Sequence, residues 1–292
     1  MKPNSPRFSD GDFATIKPIE FEGITNEPGR NSFYRSVNKG IELLSTVLIG
    51  ASLLALFLPE AKGAEVAAPP TNQTASVDLR PVFMKWDLPL RLQGRRGTCS
   101  VFALTGAMEY AVAQRQQSGT LLSVEFLNWA SNQATANLND GGFFSDLWAG
   151  YVAHGICSEV TLPYLPDYNA ELKPDKKTLQ CAQESVTAGL QLHWIKPWNV
   201  RTGLTETQFV QIKRTLAQGW PVCGGFRWPK QAQWEQSVLQ MCPPEAVFDG
   251  HSVLLVGYRD DPDQPGGGVG NGFGASEIRS GSRCGTSRSA ET

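Results

Sequence analysis

The apolar residues Phe102, Ala103, Ala107, Met108, Ala111 and Val112 recur at helical spacing, which predicts a helix from Cys99 to about Gln117. Ser118-Gly119 ends it, and Thr98 stands where a capping hydroxyl is favoured. A second helix starts within Leu122 to Leu127, with Ser123 as its N-cap, and a third covers Glu206 to Gln218. From about residue 185 the pattern changes to short apolar runs, Leu190 to Ile195, Val222 to Trp228 and Val253 to Tyr258, which predict strands. Helices in one block and strands in the next point to an α+β domain.

Leu43 to Leu58 follows neither period: it is an uncharged run rich in Leu, Ala, Val and Ile. Arg35 and Lys39 precede it and Gly63-Ala64 follow it, which are the three parts of an export signal. It falls just short of the ~20 residues of a full membrane span. The chain therefore divides into a polar leader at 1–40, expected to be disordered, and a signal peptide or signal-anchor at 41–64. A Pro/Thr/Asn/Ala-rich linker follows at 65–76. The folded body is expected at 77–258, with 77–184 mainly helical and 185–258 mainly strand, and a Gly/Ser/Arg-rich tail at 259–292. A long leader ahead of a signal is unusual, so a true start near Val37 is the alternative. The expected location is outside the cytoplasm, secreted or periplasmic, or tethered to a membrane through 43–58. Past Val269 no strand alternation survives, and a shift of reading frame there is one explanation of the break.

Composition narrows the function. Apolar residues make up 41% of the 292-residue chain, enough for a sizeable core. A formal net charge of −2 gives no electrostatic reason to expect a nucleic-acid partner. The six cysteines include no C-x-x-C pair and no Cys/His cluster with zinc-site spacing, so no metal or other cofactor is expected. If Cys99 stays free, two disulfides and a leftover thiol fit an oxidising compartment, with the pairs unassigned.

The candidate chemistry lies at Gln93-Gly94-Arg95-Arg96-Gly97-Thr98-Cys99. A thiol in the first turn of a helix feels the positive end of the helix dipole, which favours the nucleophilic thiolate, and Arg95 and Arg96 add to that field. The Cys99 N–H is unpaired within the helix and can donate to an oxyanion, with the Gln93 amide as second donor. A lone cysteine at a helix start is more often a small buried residue, so the reading needs a base. His154, within a helix, and His193, within a strand-like run, read as structural; His251 heads the last apolar strand.

These segments resemble the papain-like cysteine peptidases. Gln93 and Cys99 keep the six-residue spacing of that family's motif, and the match continues through Phe102 to Glu109, a buried Glu in the family. Val77-Asp78-Leu79-Arg80, Leu122-Ser123-Val124-Glu125, Asn139-Asp140-Gly141-Gly142, Gly155-Ile156, Pro163-Tyr164, Gly219-Trp220-Pro221-Val222 and Gly250-His251-Ser252-Val253 follow in the family's order. The resemblance implies two lobes, one helical and one β-barrel-like, with the active-site cleft between them. It implies Cys99 as nucleophile, His251 as base 152 residues on, Gln93 at the oxyanion, and Gly141 and Gly142 holding substrate backbone. The partner implied is a peptide or protein substrate, the type a bacterial member without a long pro-region; oligomeric state stays open. Asn271, in an Asn-Gly-Phe-Gly echo of the family's Asn motif, is the candidate to orient the imidazole. The chain departs from the pattern at both halves of one family disulfide, where it carries Arg96 and Asn139, and at Ser100, where the family has Trp or Tyr. The final strands expected after Tyr258 are not legible. The altered C-terminus motivates an alternative, an impaired module that binds peptides or proteins. Acyl transfer to an amine would use the same Cys-His pair.

Overall fold

The computed structural model describes residues 12–18, 76–186, 189–199, 202–235, 238–240 and 243–260. In chain order the elements are β1 (Phe13–Pro18), β2 (Ser76–Asp78), α1 (Arg80–Lys85), α2 (Cys99–Gln116), α3 (Val124–Thr135), α4 (Phe144–His154), α5 (Lys176–Val186), β3 (Leu190–Lys196), α6 (Glu206–Ala217), β4 (Val222–Pro229), β5 (Trp234–Glu235), β6 (Val238–Leu239), β7 (Val247–Leu255) and β8 (Gly257–Arg259). The class is α+β: helical segments and an antiparallel sheet in the order β3-β1-β4-β7.

α2 shows why the core forms where it does. Every residue from Ser100 to Ala113 is buried, so this is a helix enclosed on all sides. Its side chains join one cluster with β1, β4 and β7, including Phe13, Ile16, Val222, Val253 and Leu255. The carboxylate inside it is accommodated: Glu109 accepts from Arg91 Nη2 at 2.7 Å and from the Leu122 backbone N–H at 2.9 Å. α3 begins where Ser123 Oγ accepts from the Phe126 N–H at 2.9 Å. α6 begins with a reciprocal capping box between Thr205 and Gln208. α3 and α4 approach closely at Gly150, where a Cβ would collide with the backbone of Ala130 and Ser131.

Three expectations are corrected. Residues 13–18, placed in a disordered leader, form β1 inside the sheet, antiparallel to both β3 and β4. Phe13, Ala14, Thr15 and Ile16 are all buried, and the folded body therefore does not begin at Val77. Second, β7 starts at Val247, so His251 lies within a strand, paired with Phe226, and does not head it. Third, the Thr98 side chain makes no cap; it binds the Tyr164 hydroxyl at 2.6 Å. The apolar run 43–58, its linker and the tail from residue 261 lie outside the described residues. Among the described residues no helix is long and apolar enough to cross a membrane.

Candidate active site

The Cys99 loop is held by side chains from three other segments. Tyr164 donates from its hydroxyl to the Gln93 carbonyl at 2.9 Å and packs its ring edge-on against Phe102 at 4.9 Å. Gln93 is buried, and its amide nitrogen donates to the Arg96 carbonyl at 2.5 Å. That bond uses one of two amide hydrogens, leaving the second for another acceptor. Cys99 itself opens α2 and is half-buried.

The electrostatics differ from the simple helix-terminus argument. Burial pushes the Cys99 thiol up from its ordinary value; hydrogen bonds from the Ser252 backbone and side chain and from the Ser100 and Cys99 backbones pull the other way. Arg96 does not stand over the thiol as a free cation. Its Nη1 donates to Glu125 at 2.5 Å and to the Leu165 carbonyl at 2.9 Å, and its Nη2 donates to Asp140 at 2.8 Å. Burial opposes that charge, but the two carboxylates hold the guanidinium above its ordinary range.

Ser252 brings β7 to the sulfur, and it is the immediate chain neighbour of His251. Consecutive Cα atoms lie about 3.8 Å apart, so the backbone of His251 lies beside the residue that meets the thiol. The His251 ring stands edge-on to Trp228 at 4.6 Å and 76°. Burial pushes His251 down to about 4, because the imidazolium loses hydration and the neutral ring does not. Of the other histidines, His154 packs against the Trp129 ring at 5.3 Å and His193 lies on β3.

Gly141 and Gly142 lie against the same loop. The Gly141 N–H donates to Asn128 Oδ1 at 2.8 Å and the Gly142 N–H reaches Ser100 Oγ at 3.4 Å. Gly141 has φ 106°, and a Cβ there would strike the Gly97 carbonyl, so both conformation and space require glycine. Cys99, Gln93, Gly141 and Gly142 thus gather around one loop, with the strand of His251 beside them. Asn271 lies outside the described residues. Sequence reasoning missed Ser252, Trp228, Asn128, Asp140 and the Glu125–Arg96 pair; the one signal available was the joint replacement of two cysteines by Arg96 and Asn139. Among the described residues no group of His, Cys, Asp and Glu is arranged to hold a metal ion. Cys99, Cys157, Cys181 and Cys223 are all free thiols.

The papain family cysteine protease model matches residues 74–275. Among solved structures the chain is similar to xylellain, a cysteine protease from Xylella fastidiosa, at 20% identity and a TM-score of 0.48, covering 72% of this chain and 84% of that one. It is similar to digestive procathepsin L 3 of Tenebrio molitor larval midgut at 19% identity and a TM-score of 0.43, covering 72% and 70%. No curated protein matches the chain.

Proposed function

Because the chain belongs to the papain family of cysteine proteases, we propose that it hydrolyses peptide bonds with Cys99 as nucleophile and His251 as its proton partner. The fold is α+β and papain-like, and protease membership implies peptide or protein substrates. The observation that carries the residue assignment is the contact of the Cys99 thiol with Ser252, next to His251, across 153 residues of chain.

In this reading burial moves both groups toward their neutral forms. His251 takes the thiol proton as the sulfur attacks the scissile carbonyl. The Cys99 N–H and the second Gln93 amide hydrogen receive the developing oxyanion. His251 then protonates the leaving amine, and water activated by His251 hydrolyses the thioester. Gly141 and Gly142 offer backbone to an extended substrate strand. The assignment to a bacterial type without a long pro-region belongs to the same proposal and rests on the short interval at 65–76.

The location proposed from residues 41–64, export or anchoring, is constrained by β1. A signal cleaved near Gly63-Ala64 would sever β1 from the body, and one membrane crossing between β1 and β2 would put them on opposite sides.

A peptide carrying a thiol-reactive warhead tests the residue assignment. Cys99 is expected to be labelled in the full chain, with the rate falling on the order of 10³-fold or more in His251→Ala. A folded chain that takes no label favours the alternative of a peptide-binding module.

A further inference from the structure

Arg96 is a buried cation that the mechanism leaves unused. It is 6% exposed and lies three residues before the nucleophile. Its guanidinium joins Glu125 of α3 with Asp140 of the loop before α4. Asp140 immediately precedes Gly141, and its Oδ2 also accepts from the Gly97 N–H at 3.3 Å. The guanidinium lies over the Tyr164 ring at 4.5 Å, the ring whose hydroxyl holds the Gln93 carbonyl. A planar fork can serve two carboxylates at once, which an ammonium cannot do in the same geometry.

We propose that Arg96 is a positioning residue: an ionic strap that sets the Gly141-Gly142 loop against the Cys99 loop. The inference rests on the reading of the site as a protease. Its two arms do different work. The Glu125 arm, bonded at both carboxylate oxygens and covered from solvent, anchors the guanidinium to α3. The Asp140 arm reaches the glycines, where the Asn128 side chain bonds both Gly141 and, at 3.4 Å, Asp140. Loosening the Asp140 arm frees the segment that holds substrate backbone and leaves the thiol's contacts with Ser252 and Ser100 in place.

The test is steady-state kinetics of the full chain on a peptide, with the rate of Cys99 alkylation by iodoacetamide measured beside it. Asp140→Asn is expected to raise KM on the order of tenfold, the worth of one hydrogen bond to a charged group. kcat per titrated thiol and the alkylation rate are expected to stay within about twofold. Arg96→Lys, which keeps the charge facing Glu125 and gives up the fork, carries the same readout should Asp140→Asn not fold. An unchanged KM overturns the proposal. So does a pair of variants whose only defect is a smaller folded fraction. A wild-type chain that turns over no peptide overturns the protease reading, and this inference with it.

Discussion

Phe13→Ala tests the placement of β1. Phe13 is fully buried, its ring meets Phe226 edge-on at 5.2 Å, and its backbone pairs with Gly224. Removing a buried phenyl ring costs about 3–5 kcal/mol through lost transfer energy and the cavity left behind. That is a large part of the ~5–15 kcal/mol that holds an ordinary domain folded. At about 2–4 °C per kcal/mol, the thermal midpoint should fall by ~6–20 °C. Gly224→Ala sharpens the test, because its Cβ would stand 2.8 Å from Phe13 Cε1 and equally close to Phe226 Cε2. Overpacking there should cost ~1–3 kcal/mol alone. In the Phe13→Ala background part of that clash disappears, so the double-mutant cycle should show at least ~0.5 kcal/mol of coupling. The assay is thermal or urea melting of the full chain and its variants. A midpoint within a degree of wild type for Phe13→Ala, or strictly additive effects, would refute the insertion of this strand into the sheet.

Other expectations follow from the same packing. Burial pushes the Asp12 carboxyl up to about 6 from 3.8, against the opposing pull of Lys196 and the Phe144 N–H. The folded chain keeps this proton where the unfolded chain has lost it, so stability falls as pH rises from about 4 to about 6, by ~3 kcal/mol. Asp12→Asn should flatten that slope in urea titrations at several pH values, and an unaltered slope contradicts it. Glu109→Ala removes one of the two carboxylates on Arg91, which keeps Glu159 at 3.3 Å, and leaves the Leu122 N–H without an acceptor, at a cost of ~1–3 kcal/mol in chemical melts; a loss under ~0.5 kcal/mol would mean the buried pair contributes little. Protein purified from its native source should retain residues 13–18 when its N-terminus is sequenced, and a mature chain beginning near Ala64 would show that the sheet with β1 is not the working form.

What could be read from the letters was mainly local. The helix from Cys99, the Ser123 cap and the start of α6 are set by hydrogen bonds spanning three or four residues, so their marks sit side by side in the chain. The Gln93–Cys99 spacing and the Gly141-Gly142 loop were legible through the resemblance to one family, whose order the motifs follow. Arg96 was misjudged as a field on the thiol because its partners lie 29 and 44 residues away. His251 was placed at the head of its strand, whereas pairing with β4 carries the strand back to Val247.

By itself, then, the sequence determined which residues could bear the chemistry and which local elements would carry them. Only the tertiary structure decided that Phe13–Pro18 enters the sheet, that Arg96 spends its charge on two carboxylates, and that Ser252 meets the thiol. Four consecutive buried residues in β1 show neither a helical nor an alternating period, since a strand between two others and against α2 is covered on both faces. Its partners lie some two hundred residues away, and nothing within a few positions of Phe13 records them.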